Sequence, residues 1–248
     1  MIFKNNEVAL ITGGSTGIGL ATVKLFSERG ANVIFCGRSI GKGEAAQRNI
    51  AGSRYIKCDV SNQEEVDSMF ERIREEYGRL DIAVNNAGIS KSGKFIPEYS
   101  VEDFNEIVET NVKGLFLCLQ KELEMMKRQK KGAIVNVASV LGVKAHTSKN
   151  ALYTMTKHAV VGLTKEAALE YALTGVRVNA VLPAYTETEI ISHHLSDSEK
   201  RRQIEKLHPI GRLIQPEEVA RAILFLSTES ASAMTGALMP VDGGCLAN

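Results

Sequence analysis

Tyr153 and Lys157 stand four residues apart in 153-YTMTK-157, which places both side chains on one face of a helix. A tyrosine at its ordinary pKa of about 10 is a poor proton carrier at neutral pH, and a neighbouring ammonium favours the phenolate and lowers that value. The pair suits general acid–base chemistry, but any amphipathic helix also produces YxxxK, so it does not by itself assign that chemistry. Ser139 directly follows the strand-like run 134-IVNVA-138. It lacks a GxSxG elbow, and no histidine is placed by sequence to activate it, so it is not a hydrolase nucleophile.

A second chemistry lies near the start of the chain, in 12-TGGSTGIG-19. Gly13, Gly17 and Gly19 are spaced GxxxGxG. Glycines let the backbone turn sharply and approach a pyrophosphate, whose charge then meets the amides of a helix N-terminus. A tight β-α turn without a ligand uses similar residues, but the place after a strand, before a helix and at the head of a β-α-β unit favours a dinucleotide. Gly19 is followed by Leu20 rather than Lys and Ser/Thr, which disfavours ATP or GTP. The second strand ends at 36-CGRS-39. Gly37 stands where NAD-binding chains place a ribose-holding acid, Arg38 follows, and Lys42 is near. A guanidinium grips a 2′-phosphate that a carboxylate would repel, so NADP(H) is expected over NAD(H).

These groups need elements to hold them. Short apolar runs at Val8–Thr12, Asn32–Cys36, Arg54–Cys58, Ile82–Val84, Ala133–Ala138, Arg177–Leu182 and Leu238–Val241 read as strands covered on both faces. Amphipathic segments alternate with them. The clearest, from about Asn62 to Tyr77, lines up Val66, Met69, Phe70, Ile73 and Tyr77, with a Ser61/Glu64 capping box and Gly78 as its stop. Another helix opens at Pro216, followed by Glu217 and Glu218. Parallel neighbours require crossover helices, so the order predicts an α/β, doubly wound, open parallel sheet in one domain over residues 1–248. Residues 185–212, including 193-HHLSDSEKRR-202, interrupt the rhythm; they read as a substrate lid or as a solvated insertion.

Composition narrows the classes. The 248 residues carry 30 Lys+Arg against 29 Asp+Glu, a net charge of +1, which leaves no field to hold nucleic acid. The longest apolar runs are Leu115–Leu119 and Ala222–Leu226, far short of a membrane span. The first ten residues lack a signal-peptide pattern, so a soluble cytoplasmic protein is expected. Cys36, Cys58, Cys118 and Cys245 form no CxxC pair, and His193 and His194 are adjacent, so no metal site is expected.

Taken in order, TGGSTGIG, Asp59 with Val60, 85-NNAG-88, Asn111, Ser139, Tyr153 and Lys157 resemble the short-chain dehydrogenase/reductase family over essentially the whole chain. The resemblance implies a Rossmann-type fold of about seven strands with helices on both faces, and hydride transfer between the cofactor and a carbonyl or secondary alcohol. It implies that Tyr153 carries the proton, that Lys157 binds the nicotinamide ribose and depresses the phenol, and that Ser139 bonds the reacting oxygen. Asn111 would hold a relay water. Gly13, Ser15, Thr16, Gly17, Ile18 and Gly19 would cradle the cofactor, with Arg38 at its 2′-phosphate and Asp59 and Val60 at its adenine. Asn85, Ala87 and Gly88 would pack along the adenosine. Pro183, Thr186 and Thr188 would shape the nicotinamide end, and Tyr185 would face the substrate.

Two departures stand out: Ala184 follows Pro183 where the family usually has glycine, and Ser139 and Tyr153 are fourteen apart where many relatives have thirteen. Ile89, Ser90, Lys91, the 140–150 loop, Tyr185 and 189–208 are expected to wall the pocket, with Lys91 or Lys144 able to attract an anion. A 3-oxoacyl thioester (as in 3-oxoacyl-carrier-protein reductases), a cyclic alcohol or diol, and a sugar all remain open. A cofactor-sensing protein without turnover is the rival from another class. The family implies a homotetramer, with a dimer as the smaller alternative. Within it, 115-LFLCL-119 belongs either to the monomer core or to a subunit contact.

Overall fold

The computed structural model describes residues 3, 7–146, 149–189 and 197–247. Seven strands, β1 (Val8–Thr12), β2 (Asn32–Gly37), β3 (Ser53–Lys57), β4 (Ile82–Asn85), β5 (Gly132–Val137), β6 (Val176–Pro183) and β7 (Leu238–Val241), form one parallel sheet. Their order is β3-β2-β1-β4-β5-β6-β7. Each predicted strand is found, with bounds moved by one residue at most. The helices are α1 (Gly17–Glu28), α2 (Ile40–Asn49), α3 (Gln63–Tyr77), α4 (Val101–Val108), α5 (Gly114–Gln129), α6 (Ala151–Tyr171), α7 (Ser198–Glu205) and α8 (Pro216–Ser227).

The continuous apolar strand runs are explained by two cores, one on each face. Leu10 and Ile134 pack with Phe70 of α3 and Met126 of α5 on one side. Their neighbours Ile11 and Val135 pack with Phe26 of α1 and Ile223 of α8 on the other. Successive residues of a strand point to opposite faces, so a strand between two helix layers is apolar on both, and the buried Asn85, Asn136 and Asn179 are each hydrogen-bonded. Each apolar side chain, fully buried, contributes about 1.5–3 kcal/mol. Four of the five residues in 115-LFLCL-119 are buried within this chain, and only Phe116 faces outwards. The apolar run is therefore mostly monomer core.

Chain order reverses direction between β1 and β4, which opens a crevice at their C-terminal ends. Thr12 and Asn85, the last residues of the two strands, lie side by side. Thr12 Oγ1 accepts from the backbone N–H groups of Asn86 and Ala87, both at 3.1 Å. Asn86 Nδ2 donates back to the carbonyls of Thr12 and Gly13 at 3.1 and 3.0 Å. The two strand tips are thus stitched into one floor.

Helix α3 buries the expected stripe, but its cap differs from the Ser61/Glu64 box. Asn62 is the capping residue and accepts from Glu65 N at 3.2 Å. Ser61 lies one residue before it, with its N–H and hydroxyl both donating to Asp59 Oδ1 at 3.0 and 2.7 Å. Gly78 ends the helix in the left-handed region at φ 65°. A Cβ there strains the backbone, so Gly78→Ala is expected to lower stability by about 1 kcal/mol, read as a lower midpoint in urea with the slope unchanged.

Helices α4 and α5 run on through a π turn at Glu109–Lys113, a wider turn that a 3.6-residue period does not announce. Between β6 and α8, α7 is capped by Asp197 and held by Arg201 to Glu187 at 3.0 Å. The expected lid over 185–212 falls partly on residues 190–196, with His193 and His194, which lie outside the described residues. No helix among the described residues is long and apolar enough to cross a membrane.

Candidate active site

Ser139 leaves the end of β5 and opens a short 3-10 turn, where its Oγ accepts from Leu141 N at 3.1 Å. Tyr153 and Lys157 project from the first turns of α6, one turn apart, against the same wall. All three line one pocket with Leu141, Pro183, Tyr185 and Thr186. Lys157 is buried, and its Nζ donates to the carbonyl of Val137 at 2.7 Å while lying 5.4 Å from the centre of the Tyr153 ring. One extra residue between Ser139 and Tyr153 does not separate them. It is absorbed in the 140–150 loop, which supplies Val140, Leu141, Lys144, His146 and Asn150 to the pocket wall.

The electrostatics correct one expectation. Lys157 was to depress the Tyr153 phenol, yet loss of solvent dominates in the protein alone. Burial pushes Tyr153 up to about 12, against a smaller opposing pull from its hydrogen bond with Ser139. Burial brings Lys157 down to about 8. The ammonium spends its bond on Val137 rather than on the phenol oxygen, so desolvation disfavours both charged forms. Tyr153 is thus a protonated phenol across the neutral range.

Asn111 sits at the middle of the π turn and is buried. Its Oδ1 accepts from Ile89 N at 2.8 Å, and its Nδ2 donates to Ile89 O at 2.9 Å and to Thr156 Oγ1 at 3.1 Å. Both amide hydrogens are therefore committed to clamping the loop after β4 onto α6. Beside it a cavity of about 10 Å³, touched by Lys157, Val137 and Gly114, approaches the space one water needs.

A groove runs from this pocket along the strand tips. Gly13 at φ 63° and Gly17 at φ 52° adopt the left-handed turns that the loop requires. Ser15, Thr16, Ile18, Arg38, Asp59, Val60, Ala87, Gly88 and Thr188 line it with them. Helix α1 begins at the groove with no acidic side chain in its first turn, which leaves its N-terminus open to an anion. A Cβ on Gly37 would lie 3.2 Å from Ser15 Oγ, a tight contact with the side chain of the glycine loop. These features fit a dinucleotide phosphate.

Two expected cofactor residues act from beneath the groove. Gly19 lies under the loop, and Asn85 turns its side chain into the core to meet Glu122 and Asn136. Asn86, passed over in the sequence, lines both the groove and the pocket. Strand alternation was the available signal: if one of two adjacent asparagines faces the core, the next faces away from it. Of the two lysines offered for an anionic substrate, Lys144 lines the pocket and Lys91 does not. Lys91 pairs with Asp103 and Glu106, and Lys144 donates to the carbonyl of Cys245 at 2.5 Å.

Comparison with known proteins agrees with this geometry. Residues 13–245 match the family model described as enoyl-(acyl carrier protein) reductase. The chain is 38% identical over 241 residues to cis-4-hydroxycyclohexanecarboxylate dehydrogenase of Sinomonas cyclohexanicum, covering 96% of each protein. It is 35% identical over 243 residues to the 3-oxoacyl-(acyl-carrier-protein) reductase FabG of Thermotoga maritima, covering 96% of this chain and 97% of that one. Among solved structures, ElxO with NADP bound superposes with a TM-score of 0.93 at 34% identity, over 98% of this chain and 100% of that one.

Proposed function

Since the chain belongs to the short-chain dehydrogenase/reductase family and is an NAD(P)-dependent oxidoreductase of CH–OH and C=O groups, we propose that it works with NADP(H) on a compact cyclic alcohol or ketone. The observation that carries the chemistry is the single pocket shared by Ser139, Tyr153 and Lys157 at the end of the glycine-loop groove. Bound NADP(H) supplies or accepts the hydride. Tyr153 holds the proton that a carbonyl oxygen receives on reduction, and its raised pKa keeps that proton in place until charge develops on the oxygen. Ser139 donates to the same oxygen. Lys157 holds the ribose, and Asn111 retains the loop after β4 and a water in the small cavity beside Lys157.

The groove residues hold the rest of the cofactor: Gly13 to Gly17 and Ile18 at the pyrophosphate, Asp59 and Val60 at the adenine, and Pro183, Thr186 and Thr188 at the nicotinamide. Cyclic substrates are favoured by the apolar wall of Val140, Leu141, Ala184, Tyr185 and Leu207 and by the names of several relatives, cyclohexanol dehydrogenase of an Acinetobacter strain among them. We assign the protein to the cytoplasm as a homotetramer. Val101, Phe104 and Phe116 on α4 and α5, with Leu169 on α6, supply exposed apolar surface for the contacts.

The test is fluorescence titration with NADPH and NADH, followed by turnover on a panel of cyclic ketones and 3-oxoacyl thioesters. Turnover restricted to the thioesters would replace the cyclic-substrate reading. Arg38 is exposed at the groove mouth with Gly37 before it, and the 2′-phosphate reading makes a definite demand of it. Arg38→Asp should weaken NADPH by about 10-fold or more, the scale of a lost charged bond, while NADH is weakened far less. Equal losses for both would remove Arg38 from 2′-phosphate recognition.

A further inference from the structure

Helix α5 presents Leu115, Cys118, Glu122 and Met126 at helical spacing to the core, and Glu122 is completely buried among the apolar members of that stripe. Its Oε2 accepts from Asn85 Nδ2 at 2.9 Å. The same Nδ2 donates to Asn136 Oδ1 at 3.0 Å, and Asn136 Nδ2 donates to Thr164 Oγ1 at 2.9 Å. The chain of bonds thus runs from α5 through the tips of β4 and β5 to α6. Two of its atoms are buried without a partner: Glu122 Oε1 and Asn85 Oδ1. They sit on the two residues already joined by one hydrogen bond. If Glu122 were a carboxylate, both would be acceptors with no donor, an arrangement folded proteins avoid.

One proton resolves both. We propose that Glu122 is a neutral carboxylic acid in the folded chain, its Oε1–H donating to Asn85 Oδ1 while its Oε2 accepts from Asn85 Nδ2, and that this closed two-bond pair is a positioning device for the tip of β4. Burial supports it, raising this carboxyl from 4.5 to about 8. No cation offsets that effect. Burial holds Cys118 on the same helix as a thiol, and Lys157 of α6 lies on the small cavity that Asn85 also touches, with its Nζ given to Val137. Lys121 and Asp67 of α3 pair with each other. Strands β4 and β5 carry no ionisable side chain, and Arg177 of β6 is bonded to carbonyls at Leu226, Thr228 and Met234. The residue so held, Asn85, precedes Asn86, whose amide ties β4 to the glycine loop. The functional consequence rests on the reading that this groove holds NADP(H).

Glu122→Gln is the discriminating variant, because its amide N–H stands where the acid proton stands and rebuilds the pair; Glu122→Leu removes it. Between 4.5 and about 8 the folded wild type keeps a proton that the unfolded chain has released, so raising pH through that window favours unfolding. Above it both states are ionised. The melting temperature of Glu122→Gln should therefore rise relative to wild type across that window and then hold a constant lead. An infrared difference spectrum of wild type minus Glu122→Gln near neutral pH should show a protonated-carboxyl carbonyl band. Glu122→Leu should raise the KM for NADPH several-fold, with Glu122→Gln restoring it. A pH-independent melting difference, or a carboxylate band in place of the acid band, would overturn the proposal. Neither readout involves the cofactor, so both remain decisive if the leucine variant fails to fold or NADP(H) is not the ligand.

Discussion

Tyr153→Phe is expected to lower turnover by about 10²–10⁴-fold, the contribution of a positioned acid–base group, while NADPH binds as it does to the wild type. Phenylalanine keeps the ring and loses only the hydroxyl that carries the proton. The rest of the site does not depend on that hydroxyl for its place. Lys157 is anchored to the carbonyl of Val137, and Ser139 accepts from the backbone of Leu141. The ring-to-Nζ approach of 5.4 Å involves the face of the ring, which the variant retains. Steady-state turnover and fluorescence titration separate the two properties. Wild-type turnover in the variant would unseat Tyr153 as proton carrier; lost turnover together with lost binding would make the tyrosine a binding residue instead. The NADPH-bound form of ElxO bearing a tyrosine-to-phenylalanine change is a precedent in a structural relative at 34% identity.

The second large effect belongs to Gly19. A Cβ at this position would lie 2.1 Å from Gly13 O and 2.6 Å from Asn86 Nδ2, inside any tolerable contact. The obstruction at 2.1 Å is backbone, so relief requires the loop itself to move. Gly13 cannot yield freely, since it turns at φ 63° with its own Cβ position 2.9 Å from Ala87 Cα. Strain introduced by Gly19→Ala therefore passes to both strand tips. Overpacking of this kind costs about 1–3 kcal/mol. Cofactor affinity should fall by about 10-fold or more, because each 1.4 kcal/mol lost from the bound geometry is a factor of ten. Gly41→Ala on α2 is the control: nothing lies within 4 Å of its Cβ position, and alanine is the better helix former. Unaltered NADPH affinity in Gly19→Ala would mean that the loop does not read the phosphates.

Much of the fold was legible because local sequence and final environment agree. Runs such as 8-VALI-11 are apolar at successive positions, and only a strand between two helix layers buries both its faces. The cap of α3 was displaced by one residue because two neighbouring side chains both suit the role. Asn62 accepts from Glu65 N while Ser61 folds back and donates to Asp59. Glu122 was not legible as a paired residue, because its partner Asn85 is 37 residues away in sequence and no periodicity connects them.

The sequence by itself determined the reaction class. It did so through an ordered set of motifs that resembles one family: a glycine loop after the first strand, the NNAG run, Asn111, Ser139, and a tyrosine and lysine one helical turn apart. The tertiary structure decided what the chemistry's surroundings do to it. It placed Asn86 in the groove and Asn85 in the core, wound a π turn around Asn111, and paired Lys91 with Asp103 and Glu106. It also buried the Tyr153 phenol, which raises its pKa in the protein alone. The physical reason is common to these cases. Desolvation and long-range hydrogen bonding depend on what surrounds a group from every side, and a linear order records only its neighbours along the chain.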